Sequence, residues 1–183
     1  MKNEYAQWRK LDNAALAFPA VTGKNDTRVF RFYCELKEEI KEENLQEALE
    51  RTLEKYPLFR AVLRKGLFWF YLERRDIPAV AKKEAGAPCS GLYIPDKKTL
   101  LFRVSYYKNR INFEVFHALT DGTGAMHFLM ELVKNYLYLA HHEDGLENVV
   151  LSEYSESLFN QEADGFERYY SHQADRKKEK KPA

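Results

Sequence analysis

The chain has 183 residues, 45% hydrophobic and 14% aromatic, enough for roughly one ordinary domain with a substantial core. Its 29 Lys+Arg against 28 Asp+Glu leave a net charge of +1, which excludes an overall electrostatic case for nucleic acid or an anionic membrane. No apolar run approaches the ~20 residues of a membrane span, and Met1 to Lys10 lack the apolar stretch of a secretory signal.

Residues 27–36 alternate as a strand does, with Val29, Phe30, Phe32, Tyr33, Cys34 and Leu36 supplying apolar surface. Residues 41–56 change period. Leu45, Ala48, Leu49, Thr52, Leu53 and Tyr56 share one helical face, and Glu and Lys fill the other. Pro57 ends that helix. Residues 59–65 and 67–74 read as two strands joined around Gly66. Residues 76–85 read as a short helix with Pro78 in its first turn, and 86–91 as a loop. Two runs rich in aromatic and β-branched residues, 100–107 and 111–116, flank the polar turn Lys108-Asn109-Arg110 as in a hairpin. A helix over 123–140 follows, apolar over a wide arc. Phe68, Trp69, Phe70, Tyr71, Tyr106 and Tyr107 are expected in the core or on sheet faces.

This order predicts an α/β (α+β) two-layer sandwich, with a mixed, largely antiparallel sheet and packed helices. Residues 1–145 form the expected domain. Residues 146–183 are polar and end in a charged, solvated tail, whose basic run is interrupted by acidic residues, has no interleaved aromatics and is not expected to bind nucleic acid. Cys34 and Cys89 are the only cysteines and are not in CxxC spacing, so two reduced structural thiols in a cytoplasmic protein are expected.

The stretch Phe116-His117-Ala118-Leu119-Thr120-Asp121-Gly122-Thr123-Gly124 puts a histidine at a strand end, with an aspartate four residues on and a helix after it. A histidine held there by the sheet can face a cleft, where a general base has to reach its proton. An imidazole ordinarily titrates near pH ~6.5, so it is mostly a free base at neutral pH. Three roles stand open for Asp121. It can touch His117, pair with an arginine, or cap the backbone N–H groups of the following helix. Gly122 and Gly124 permit close backbone approach. No metal site is expected: His117 and Asp121 lack further ligands at recognisable spacing.

The stretch from Phe116 to Gly122 resembles the HxxxDG signature of the chloramphenicol acetyltransferase-like, condensation-domain superfamily. Trp8-Arg9-Lys10-Leu11-Asp12-Asn13-Ala14-Ala15, with Pro19 after it, looks like the start of bacterial alcohol acetyltransferase-type members. Tyr56-Pro57-Leu58-Phe59-Arg60, the run from Lys65 to Leu72 and the run from Phe102 to Tyr107 fit the same subgroup. The likeness covers residues 5–139. Phe116 stands where many members carry a second histidine.

The resemblance implies acyl transfer, expected to be of acetyl, from a coenzyme A thioester to an alcohol or amine. Acetyl-CoA or another acyl thioester is then a co-substrate, and no permanently bound cofactor is implied. It implies His117 as the general base and Asp121 as a structural residue in a salt bridge to an arginine, with Arg60 as the candidate partner. Gly122 would keep the loop tight beside the thioester channel. No acyl-enzyme is implied, and neither cysteine stands at a nucleophile's position. The resemblance covers one half of the two-lobed members, with no DFGWG-like segment. The chain is therefore expected to be the N-terminal lobe of a larger acyltransferase, needing a second lobe or a second copy. Residues 146–183 are then expected to form the crossing toward a second lobe. The alternative is a non-catalytic lobe that serves as a binding or assembly module.

Overall fold

A computed structural model describes residues 8–10, 17–23, 26–67, 69–95 and 97–141 of the chain. All of them belong to a compact unit, Met1–Val149. The expected charged segment 146–183 lies outside the described residues, as do Phe68, His142 and His172.

In chain order the elements are β1 (Trp8–Lys10), α1 (Ala17–Val21), β2 (Val29–Glu35), α2 (Glu42–Lys55), a 3-10 turn (Pro57–Arg60), β3 (Ala61–Lys65), β4 (Phe70–Arg74), β5 (Lys82–Lys83), β6 (Phe102–Tyr107), β7 (Arg110–Phe116) and α3 (Gly122–Ala140). They build two sheets. The larger has the order β2-β7-β6-β5, antiparallel except for the short parallel β5–β6 pair. The smaller has the order β1-β4-β3 and is antiparallel throughout. Helices α2 and α3 pack on each other, and α3 packs on β2 and β7 of the larger sheet. This is the mixed, largely antiparallel α+β arrangement that the sequence predicts.

The alternation along β7 puts Ile111, Phe113 and Val115 on the face turned to the helices, and all three are fully buried. There Phe113 stacks on Phe128 of α3 with ring centroids 4.8 Å apart. Phe59, from the 3-10 turn, meets Phe128 at 4.2 Å, and Phe102 of β6 lies 5.6 Å from the same ring. Helix α2 adds Leu45, Ala48, Leu49 and Leu53, all within 1% of complete burial. Three polar contacts tie the helix pair. The Lys41 amide donates to the Tyr136 hydroxyl, Asn135 donates to the Thr52 hydroxyl, and Lys55 pairs with Glu131.

The other face of β7 carries Asn112, Glu114 and Phe116, and these too are buried. Alternation alone would turn Asn112 and Glu114 to solvent. The segment between β4 and β6 covers Glu114 and Phe116 instead. Tyr93 stacks on Phe116 at 5.7 Å, and the Cys89 amide donates to the Glu114 carboxylate. Glu114 also lies between Arg31 and Arg103, which are its register partners on β2 and β6. Arg31 reaches on to Glu84, which holds Arg110 as well. Burial alone would raise the Glu114 carboxyl. The Cys89 amide and the two guanidinium groups outweigh it and hold the group below the usual glutamate range. Hydrogen bonding from Arg31 likewise lowers Glu84, against a smaller effect of burial.

Four expectations need correction. Residues 76–85 are extended, not helical. The Gln46 side chain of α2 clamps them, accepting from the Ala81 amide and donating to the Ala79 carbonyl as a strand partner would. Residues 57–60 form a 3-10 turn, because the Phe59 amide donates back to Tyr56, so β3 begins only at Ala61. The second strand, expected over 67–74, begins only at Phe70, because the Gly66 amide closes a turn on the Trp69 carbonyl; a Cβ at Gly66 would come within 3.0 Å of that oxygen. Trp69 is neither in the core nor in a strand and is 52% exposed, whereas Tyr107 ends β6 as a sheet-face residue.

Two outcomes follow. Phe59→Ala should cost about 3–5 kcal/mol in urea denaturation, the usual loss for a fully buried phenylalanine. Glu84 and Glu114 have lowered folded pKa values, so their contribution is fully present above the unfolded glutamate value of about 4.3 and is lost as pH falls through the folded values. Thermal melts should therefore be nearly level from neutral pH to about 5 and fall below it, with a shallower acid slope in Glu84→Gln.

Candidate active site

Strand β7 ends at Phe116, and His117 is the next residue. Its backbone is fixed from the neighbouring strand: the His117 amide donates to the Arg28 carbonyl at 2.9 Å. Arg28 has a φ of 53°, in the left-handed region, which aims that carbonyl just before β2 begins. A turn follows, in which the Leu119 amide donates to the Phe116 carbonyl. Ala118 and Leu119 are buried and hold the loop to the core.

The His117 imidazole is half-buried between elements. It stacks on Phe18 of α1, with centroids 4.5 Å apart and planes 18° apart. Phe30 of β2 meets it at 5.0 Å with a 55° tilt. Among the described residues, neither ring nitrogen makes a hydrogen bond. The ring is therefore held by aromatic packing rather than by hydrogen bonds among the described residues.

Asp121 resolves the alternatives left by its spacing. It is the N-cap of α3, and its carboxylate accepts from the Gly124 amide at 2.8 Å. The Asp121 carbonyl accepts the first helical bond, from Ala125. The carboxylate also lies at the positive end of the helix dipole. Asp121 thus orders the loop through the helix and not through His117.

Arg60 is not brought to Asp121. Its guanidinium lies 3.6 Å from Asp76, and it lines an open cavity of about 420 Å³ with Leu53, Glu54, Arg74, Arg75 and Asp76. The reason is local. Arg60 closes the 3-10 turn, and its carbonyl accepts from the Arg75 amide, which ties it to the end of β4. Gly122 opens α3, and a Cβ there would meet nothing within 4 Å. Among the described residues, no group of three or more His, Cys, Asp or Glu is placed to hold a metal ion. Nor is any described helix long and apolar enough to cross a membrane.

Sequence reasoning missed Phe18 and Phe30 as neighbours of His117. Phe30 was visible only as one apolar strand position, and Phe18 had no pattern around it. The register supplies the missing link, because Val29 pairs with Phe116 and so puts the start of β2 beside the end of β7.

The sequence matches no protein-family model and no curated protein. The fold does match solved structures. The starter condensation domain of rhizomide synthetase RzmA superposes on 87% of this chain and 44% of its own length, with a TM-score of 0.63 and 12% identity. This is the condensation-domain fold. Tallysomycin biosynthesis protein TlmII matches 80% of the chain and 44% of its own length, at a TM-score of 0.57 and 13% identity. Polyketide synthase associated protein 5 from Mycobacterium tuberculosis matches 72% and 33%, at 0.55 and 17%. The chain spans less than half the length of each of these structures. Within the condensation-domain fold, His117 occupies the junction between β7, the strand buried on both faces, and α3.

Asp121→Ala should lower stability by about 1 kcal/mol, as loss of an N-cap does, while Asp121→Asn should keep most of it. Urea denaturation of the three proteins checks the order.

Proposed function

We propose that this chain is one lobe of an acyltransferase in which His117 is the general base. The observation that carries this reading is the ring itself: half-buried at the strand end, packed on two phenylalanines, with both nitrogens free of hydrogen bonds among the described residues. The donor is an acyl thioester, of which acetyl-CoA is the leading candidate, and the acceptor is an alcohol or amine.

The chemistry balances without a metal or a covalent enzyme intermediate. A neutral His117 nitrogen takes the proton of the acceptor hydroxyl or amine as its oxygen or nitrogen attacks the thioester carbonyl. The tetrahedral adduct collapses, the carbon–sulfur bond breaks, and the imidazolium returns the proton to the departing thiolate. The products are an ester or amide and a free thiol. Two features support the reading: the half-length match to a condensation domain, and the four-residue spacing from His117 to Asp121. In this proposal the second wall of the cleft comes from a second lobe or a second copy of the chain.

His117→Ala should lower kcat/KM for thiol release from the acyl donor by about 10²–10⁴-fold, with donor binding little changed. A loss of less than about tenfold overturns the general-base role. The same assay run with and without a separately supplied second lobe tests the assembly reading, in which the chain contributes fold and contact but no chemistry.

A further inference from the structure

We propose that Phe18, assisted by Phe30, is a positioning residue for the His117 imidazole, in place of the carboxylate that commonly orients a histidine base. The inference rests on the general-base reading of His117.

An imidazole base works through a lone pair in the plane of its ring. Left to itself, the histidine χ2 torsion is broad and roughly two-fold, so the lone pair has no fixed direction. The usual restraint is a carboxylate bonded to the second ring nitrogen. Here the nearest candidate in sequence, Asp121, commits its carboxylate to the Gly124 amide. Among the described residues no other carboxylate bonds the ring. What does hold it is aromatic. Phe18 lies nearly parallel to the imidazole, at 4.5 Å and 18°, and Phe30 leans against it at 5.0 Å. A stacked neighbour blocks rotation of the imidazole out of its plane. It leaves the ring edge, where both nitrogens lie, open to a substrate.

Phe30 is anchored to the support that holds the histidine backbone, and Phe18 is held locally in α1. Phe30 pairs with Val115, two residues before His117, and the Arg28 carbonyl takes the His117 amide. Phe18 is fixed from within α1 and the turn that follows. The Thr22 hydroxyl donates to the Phe18 carbonyl at 2.6 Å, and the Gly23 amide closes on Asp26 at 2.9 Å. Phe30 and the base therefore share one support at the entrance to β2, and Phe18 meets the ring from α1.

The test uses the full chain as wild type, Phe18→Leu, Phe18→Met and Phe18→Tyr, with the His117 ring signals assigned by their absence in His117→Gln. In proton–carbon spectra the wild-type His117 ring protons should lie upfield, displaced by the Phe18 ring current. Phe18→Tyr should keep that displacement, and Phe18→Leu and Phe18→Met should lose it while the core signals of Phe113 and Phe128 stay in place. In the transfer assay Phe18→Leu should lower kcat about tenfold at an unchanged KM for the donor, and Phe18→Tyr should restore it. His117 signals that stay in place in both ring-less variants overturn the proposal, as does a kcat that changes less than about twofold in Phe18→Leu. If the wild-type chain transfers no acyl group with its second lobe supplied, the acyltransferase reading fails, and the spectra alone decide whether Phe18 holds the ring.

Discussion

The row Arg31–Glu114–Arg103 runs straight across three strands, and the larger sheet depends on it. A buried carboxylate with a guanidinium on each side tolerates one alignment only. A slip of β7 by one residue would put Phe113 or Val115 between the arginines and drive Glu114 into the aromatic core. Removing one arginine would leave the buried carboxylate with the other guanidinium and the Cys89 amide. The row also reaches outside the sheet. Through the Cys89 amide and Glu84 it pins the long covering segment, so β7 is enclosed on both faces. His117 gains its fixed position from that enclosure, because it leaves β7 one residue after the strand ends.

The aromatic group on the opposite face answers a different need. Phe59, Phe102, Phe113 and Phe128 come from four separate elements and meet at one point. Phe128 is the residue that sets α3 over the sheet. The start of α3 is set by Asp121, and the stretch between Asp121 and His117 is held down by buried Ala118 and Leu119. The loop bearing the histidine is thus fastened at both ends and in the middle. A rigid loop of this kind suits the proposed base, which would meet its substrate without rearrangement.

Much of this was legible in the sequence wherever period and burial agree. Helix α2 shows its stripe of Leu45, Leu49 and Leu53, and the hairpin of β6 and β7 shows two apolar runs around a polar turn. The histidine at the strand end followed from the same reading. The failures share a cause in long-range contacts. Gln46 holds residues 79–81 extended from a helix 33 residues away, and no local propensity reports that. Glu114 looks solvent-facing until the covering segment is placed. Arg60 was expected beside Asp121 by analogy, but its own backbone bond to Arg75 turns it to the end of β4. Phe18 acquires meaning only once α1 is set against β7.

The division of labour within the motif has an evolutionary consequence. Asp121 answers to the helix and, in the proposed function, His117 to the cleft, so the two residues would be under separate pressures. A descendant that lost catalysis would still need an aspartate, or another good cap, to begin α3. It could exchange His117 for another flat ring, keep the contact with Phe18, and fold as before. The aspartate would then outlast the proposed activity, and the ring on the strand end would be the first place to record its loss.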